Sequence, residues 1–267
     1  MGLQLFRILS ASLGLAILTP INLGRAQSPG PPPFAPGETL TYDVDWAIFT
    51  AGQVVATLED PGKNGPAPSK ISASARSQGF ASLLYKVQDD FDAFFDPQTL
   101  CSRQISKKVI ENGRHREINI TFNHSRGVAM EEERDLNTPK APPKQAENKI
   151  PVCVEDIVTA FYFLRHQNFH VGQDIHMALN DGGETHEVTI EVQAREQLQT
   201  PVGNRFAYRL EPKIFGTLYK KKGRLLVWMS DDPQHLPLRI RMSISVGSFT
   251  GYLKSVTLSP GNAPPAH

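Results

Sequence analysis

The sequence predicts a mainly β fold, an antiparallel curved sheet or open half-barrel wrapped on one buried helix. Three observations predict it. Apolar and polar residues alternate with a period of two in one segment after another. Turn signals such as Asn112-Gly113, Asp181-Gly182-Gly183, Gly203-Asn204 and Asp231-Asp232-Pro233 fall between those segments. One stretch alone, Val154 to Leu164, repeats its apolar residues at helical spacing.

The strands follow in order. Leu40, Tyr42, Val44 and Trp46 alternate with Thr39, Thr41, Asp43 and Asp45. Ile118, Ile120 and Phe122 repeat the pattern, as do Val188, Ile190 and Val192, then Phe206, Tyr208 and Leu210, and finally Ile240, Met242, Ile244 and Val246. Strands this close in sequence pair as antiparallel hairpins, because parallel pairing needs a long crossover. Leu225-Leu226-Val227-Trp228-Met229 is apolar on both faces, so protein or ligand must cover each one. In the helical stretch, Val154, Ile157, Val158, Phe161 and Leu164 form one face, and Ala160, Tyr162 and Phe163 make the other apolar too. A helix apolar nearly all round is buried, which places it on the concave side of the sheet. Glu155 and Asp156 at its start and Arg165 and His166 at its end suit the helix dipole. The polar segment Glu131 to Pro151, with Pro139, Pro142 and Pro143, reads as a long loop.

Residues 1–26 read as a cleavable export signal: Arg7, the apolar run Ile8 to Leu18, the helix-breaking Pro20 and the ending Gly24-Arg25-Ala26. The run falls short of the roughly 20 apolar residues that span a bilayer. Cleavage is expected before Gln27, leaving no transmembrane segment and a periplasmic or secreted protein. Residues 27–37 form a Pro-rich linker, 38–259 a single β-rich domain and 260–267 a disordered tail. Without Arg7 and Arg25 the chain carries 26 basic and 27 acidic residues, a balance that argues against nucleic acid as a partner. The two cysteines, Cys101 and Cys153, are expected to form a disulfide in an oxidising compartment; the alternative is two separate buried thiols.

The strings GETLTYDVDW, AGQVVATLED, PVCVEDIVTAFYFLR and GRLLVWMSDDPQHLPLRI resemble the bacterial domain-of-unknown-function 3108 (DUF3108) family, over roughly Gly37 to Leu258. The resemblance implies an exported, β-rich envelope protein and supplies no catalytic residues. The architecture is also broadly similar to the periplasmic lipoprotein-carrier fold, a half-barrel wrapped on a helix, a fold-level likeness only.

Candidate chemistry is sparse. His166 and His170, with Asp174 and His176 beyond, have a spacing that can grip zinc, but no HExxH surrounds them and zinc needs three or four converging ligands. Asp231, Asp232 and His235 read as a turn before they read as an acid–base site. Asp43 and Asp45, and Arg239 and Arg241, share strand faces and read as alternating surface charge; facing inward, the arginines would hold an anionic head group. Lys220-Lys221-Lys222 reads as a solubilising hairpin end that could also touch an anionic surface. No cofactor or metal is expected. The function expected is a non-enzymatic envelope binder or carrier of an amphiphilic or glycan ligand, with Tyr42, Trp46, Trp228, Arg239 and Arg241 at the site. The alternatives are an envelope hydrolase assembled from distant segments and a structural or assembly partner.

Overall fold

The computed structural model describes residues 33–59, 69–214, 222–245 and 247–258. The expected export signal, the linker as far as Pro32, Lys220, Lys221, Val246 and the tail 260–267 lie outside them.

The alternating segments become strands, and hairpin follows hairpin. In chain order they are β1 (Thr39–Trp46), β2 (Phe49–Leu58), β3 (Ser69–Ser77), β4 (Gln88–Phe95), β5 (Ser102–Glu111), β6 (Arg114–Asn123), β7 (Val128–Asp135) and β8 (Lys144–Lys149). After the central helical segment come β9 (Asp174–Asp181), β10 (Glu184–Thr200), β11 (Gly203–Pro212), β12 (Gly223–Ser230), β13 (Pro237–Ile244) and β14 (Gly247–Thr257). All fourteen lie in one sheet in the order β8-β7-β6-β5-β4-β3-β2-β1-β14-β13-β12-β11-β10-β9. Every neighbour is antiparallel. The first strand therefore pairs with the last, Tyr42 opposite Leu253, and the sheet's two edges come from the middle of the chain.

A sheet this long must curl, because each strand is twisted against the next. The edges β8 and β9 do not join by a backbone ladder, so the barrel stays open. Side chains cross the seam instead. Asn180 Nδ2 donates to Asn148 Oδ1 (2.9 Å), and the Thr185 hydroxyl donates to the same oxygen (2.7 Å). The ammonium of Lys107 on β5 pairs with Asp181 at the end of β9, strands far apart in the sheet order.

Among the described residues, two short helices accompany the sheet. The six-residue α1 (Gly79–Leu84) connects β3 to β4, buries none of its residues and has no counterpart in the sequence reading. The helix expected over Val154 to Leu164 is present as α2 (Thr159–Arg165) and begins five residues later. The reason is the open edge of β9, whose backbone groups need partners. Glu155 N–H donates to Ala178 O (2.9 Å) and Asn180 N–H to Glu155 O (2.8 Å), so residue 155 is held in a parallel bridge and cannot be helical. Asp156 then performs the capping. Its Oδ1 accepts the backbone N–H groups of Val158 (2.8 Å) and Thr159 (3.0 Å). Ser102 donates to Asp156 Oδ2 (2.8 Å), fixing the helix start against the beginning of β5. Arg165 is not an exposed partner of the helix dipole: it is fully buried, bonded to Glu38.

The segment Glu131 to Pro151 is not a loop. It forms the end of β7 and all of β8. Lys144, Gln145, Ala146 and Glu147 of β8 are exposed, so no apolar alternation marks this strand, and its charge suits an edge that must not recruit another sheet.

Cys101 and Cys153 are disulfide-bonded, with Cα atoms 5.2 Å apart. The bond ties the chain just before β5 to the segment leading into α2.

Candidate functional site

Alternation along the curled strands decides what faces the concave side. Leu40, Tyr42 and Val44 of β1, Val54 and Ala56 of β2, Ala73 and Ala75 of β3, Phe91 of β4, Leu225 of β12, Ile240 and Met242 of β13 and Phe249 of β14 all point inward and line a cavity of about 380 Å³. Ile157, Val158 and Phe161 close it from the α2 side. The space exists because the sheet turns small residues toward its centre: Ala56, Ala73, Ala75 and Gly251 leave room that larger side chains would fill.

Two further apolar pockets adjoin it. One of about 530 Å³ runs toward α1 and is lined by Trp46, Ala51, Gly52, Ala81, Leu84, Tyr85 and Ile244. It shares Val44, Val54, Ala75 and Phe249 with the first cavity. The other, also about 530 Å³, lies beside α2 among Ala160, Leu164, Met177, Leu179, Ile214 and Val227, and shares Ile157, Phe161, Leu225 and Met242 with the first. The three form an apolar trough of a size usual for sites that take drug-sized or lipid-like molecules. Glycine is required at one point of its wall, Gly52, and behind the wall residue Trp46, at Gly247. A Cβ on Gly52 would stand 2.4 Å from Arg76 O, and one on Gly247 (φ +126°) 2.9 Å from Trp46 Nε1. Trp46 stacks on Phe249, ring centroids 6.2 Å apart.

Polar groups gather at the α2 end. Arg165 donates to Glu38 Oε2 (3.0 Å), Pro33 O (3.1 Å) and Gln234 O (3.1 Å), and its guanidinium lies over the rings of Phe34 (5.3 Å) and Tyr162 (5.5 Å). With those partners it braces the closed end and is not available to an anionic ligand. Tyr42 donates its hydroxyl to Pro237 O (2.9 Å). Tyr162 has a buried hydroxyl with no hydrogen-bond partner among the described residues. Burial pushes both phenols above the ordinary tyrosine range. Glu155, behind the helix start, is pushed up to about 8 by burial and then by the neighbouring Asp156.

The residues singled out in the sequence separate into two faces. Tyr42 and Trp46 line the trough. Trp228, Arg239 and Arg241 alternate with the trough residues Val227, Ile240 and Met242, and so lie on the opposite face of the sheet. There Arg239 stacks over Trp228 (5.4 Å) and Tyr252 (5.2 Å), and the indole N–H of Trp228 donates to Glu196. The cavity therefore lies beneath Leu225 and Val227 rather than Trp228. Asp43 bonds Lys254 (2.9 Å), and β14 separates it from the arginines of β13. Asp232 stabilises its own turn by accepting the Gln234 N–H (2.9 Å), and His235 Nδ1 lies 2.9 Å from Arg165 O. Among the described residues no three or more His, Cys, Asp or Glu side chains come together as a metal site. The trough residues missed in the sequence are the small ones, above all Ala73 and Ala75 in Ile71-Ser-Ala-Ser-Ala75, where the alternation is present but carries little hydrophobicity.

A family model for a protein of unknown function, DUF3108, matches residues 41–254. The chain belongs to the DUF3108 family. This DUF3108 chain is similar to the β-barrel-like protein of the unknown-function family DUF1849 from Brucella abortus, whose crystal structure shares 9% identity and a TM-score of 0.53, covering 84% of this chain and 98% of that one. The likeness concerns the fold alone. Weaker similarity extends to a protein of YmcC-like fold from Bacteroides fragilis (TM-score 0.31, 10% identity) and to a protein from Parabacteroides distasonis (TM-score 0.33, 10% identity), each covering 84% of this chain and 96% of its own. No curated protein matches the sequence. No helix among the described residues is long and apolar enough to cross a membrane.

Proposed function

We propose that this DUF3108 protein is an exported envelope protein that binds an amphiphilic ligand in the trough and carries it without chemically altering it. One observation carries the reading: three adjoining apolar pockets converge under β1, β2, β12, β13 and α2, with Ala and Gly at the positions where a packed core would place larger residues. Protein interiors are otherwise filled to crystal-like density, and an apolar void forfeits the dispersion contacts that its lining could make. A ligand with a hydrocarbon portion restores them. A glycan fits less well, because its hydroxyls need hydrogen-bonding partners and the trough lining is almost wholly apolar. Export is supported by the leader-like segment at residues 1–26 and by the Cys101–Cys153 bond, which suits an oxidising compartment.

Native mass spectrometry of protein purified gently from its own envelope tests the reading. The expected spectrum shows a bound species of lipid mass that organic extraction removes. A spectrum of bare polypeptide, together with no uptake of a fluorescent fatty acid by the extracted protein, would overturn it.

A further inference from the structure

The end of the barrel opposite α2 has an apolar rim. Ile48 and Phe49 at the β1–β2 turn and Phe80, Leu83, Leu84 and Tyr85 of the α1 segment are all exposed, Ile48 at 86% and Leu83 at 81%. The two segments are one surface, since Gln78 N–H donates to Ala51 O (2.8 Å). A helix built of Gly-Phe-Ala-Ser-Leu-Leu that buries nothing is unusual for a soluble surface, where large apolar side chains are normally scattered singly. The rim is also continuous with the trough: Leu84 and Tyr85 are at once exposed on the outside and part of the pocket wall within.

We propose that this rim docks on the surface of a lipid bilayer and that the trough loads or unloads there; the second clause rests on the carrier reading above. Three features favour a bilayer over a protein partner or a second copy of this chain. The rim mixes aliphatic residues with Phe and Tyr, the composition that settles at the interface of headgroups and acyl chains. Exposed cations stand at the same end of the barrel: Lys86 directly after Tyr85, Arg114 on the hairpin whose Asn112 N–H bonds Lys86 O (2.9 Å), and Lys222 on the wall of the trough. Cations in this position are attracted to anionic headgroups. The rim finally borders an apolar pocket of the trough through Leu84 and Tyr85, so docking brings the hydrocarbon of the bilayer next to the trough.

The test is flotation of the full exported chain with vesicles of phosphatidylcholine alone and of phosphatidylcholine containing phosphatidylglycerol, for the natural sequence and for Ile48→Glu/Leu83→Glu. Both side chains are already in water, so the variant keeps the fold, which circular dichroism and an unchanged melting temperature verify. The expected result is co-flotation that strengthens with phosphatidylglycerol and weakens with salt, and an affinity reduced by about tenfold or more in the variant. Fatty-acid probe uptake from solution is expected to be equal in both. Absence of co-flotation, equal flotation of the two proteins, or dimerisation through the rim with no vesicle binding would each overturn the docking surface. Loss of probe uptake with docking intact would overturn the carrier reading and leave the docking surface standing.

Discussion

Removing the Cys101–Cys153 bond offers the sharpest test of how the sheet is held together. The bond closes a loop of sequence separation 52, and that loop contains β5, β6, β7 and β8, the entire outer flank of the sheet on one side of the seam. In the chain-entropy description, closing a loop of this length removes enough freedom from the unfolded chain to contribute about 4 kcal/mol to stability. The native geometry asks little in return, since a Cα separation of 5.2 Å lies within the ordinary range for a disulfide. Cys101→Ala/Cys153→Ala should therefore lower the unfolding free energy by about 4 kcal/mol, and for a domain of this size the melting temperature by about 8–16 °C. The folded structure should survive, because Ser102, Asp156 and Thr159 still join the same two segments by buried hydrogen bonds. Urea unfolding of the oxidised protein and the double variant, followed by circular dichroism, measures the difference. A midpoint unchanged by the substitution would refute the reasoning, as would a variant that is unfolded at room temperature, which would show the hydrogen bonds to be dependent on the disulfide.

Other expectations concern the trough and the buried charge beside it. Ala75→Phe fills the space where two pockets meet; probe uptake should fall by about tenfold while the protein stays folded, and unaltered uptake would place the ligand elsewhere. Phe161 is half-buried at the trough wall whereas Leu164 is buried in the core, so Phe161→Ala should cost less than the 3–5 kcal/mol or so usual for a core Phe, and Leu164→Ala about 2–5 kcal/mol; the reverse order in urea melts would contradict the assigned helix face. Glu155 takes up its proton more readily in the folded state, with its pKa raised by burial to about 8, so its contribution favours folding at low pH and is lost as pH rises from the unfolded value near 4.5 toward 8. Glu155→Gln should flatten that decline in urea melts at pH 5 and pH 8; an equally steep decline in the variant would remove Glu155 as its source.

Legibility in the sequence followed hydrophobic contrast. Leu40 to Trp46 and Val188 to Val192 declare themselves because one face is buried and the other wet. Strand β8 is wet on nearly every residue, so nothing in Lys144 to Lys149 separates it from a loop; only its pairing with β7 reveals it. The helix start was obscured for a different reason. Val154 and Glu155 satisfy a helical pattern, but long-range partners take them first: the Ser102 N–H of β5 donates to Val154 O, and Glu155 bridges the open edge of β9. The trough itself combined both cases. Tyr42 and Trp46 were visible as inward aromatics, while Trp228 belongs to a strand apolar on both faces, so the sequence could not say which of its sides was concave. The room inside depends on alanines and glycines, whose importance is the volume they do not occupy.

The pairing of β1 with β14 has a consequence for how such a protein is made. The eight strands from β1 to β8 can zip up as local hairpins as soon as they emerge, but one side of β1 stays free until β14, some two hundred residues later, arrives to cover it. Long-range pairing of this kind is slow, because the chain must close a very large loop before the contact repays it. A chain made from its N-terminal side thus waits, half-assembled, with a bare strand edge and an unlidded apolar concavity facing solvent. Vulnerability to aggregation before β14 arrives, and sensitivity to any truncation that removes β14, are built into the order of the strands.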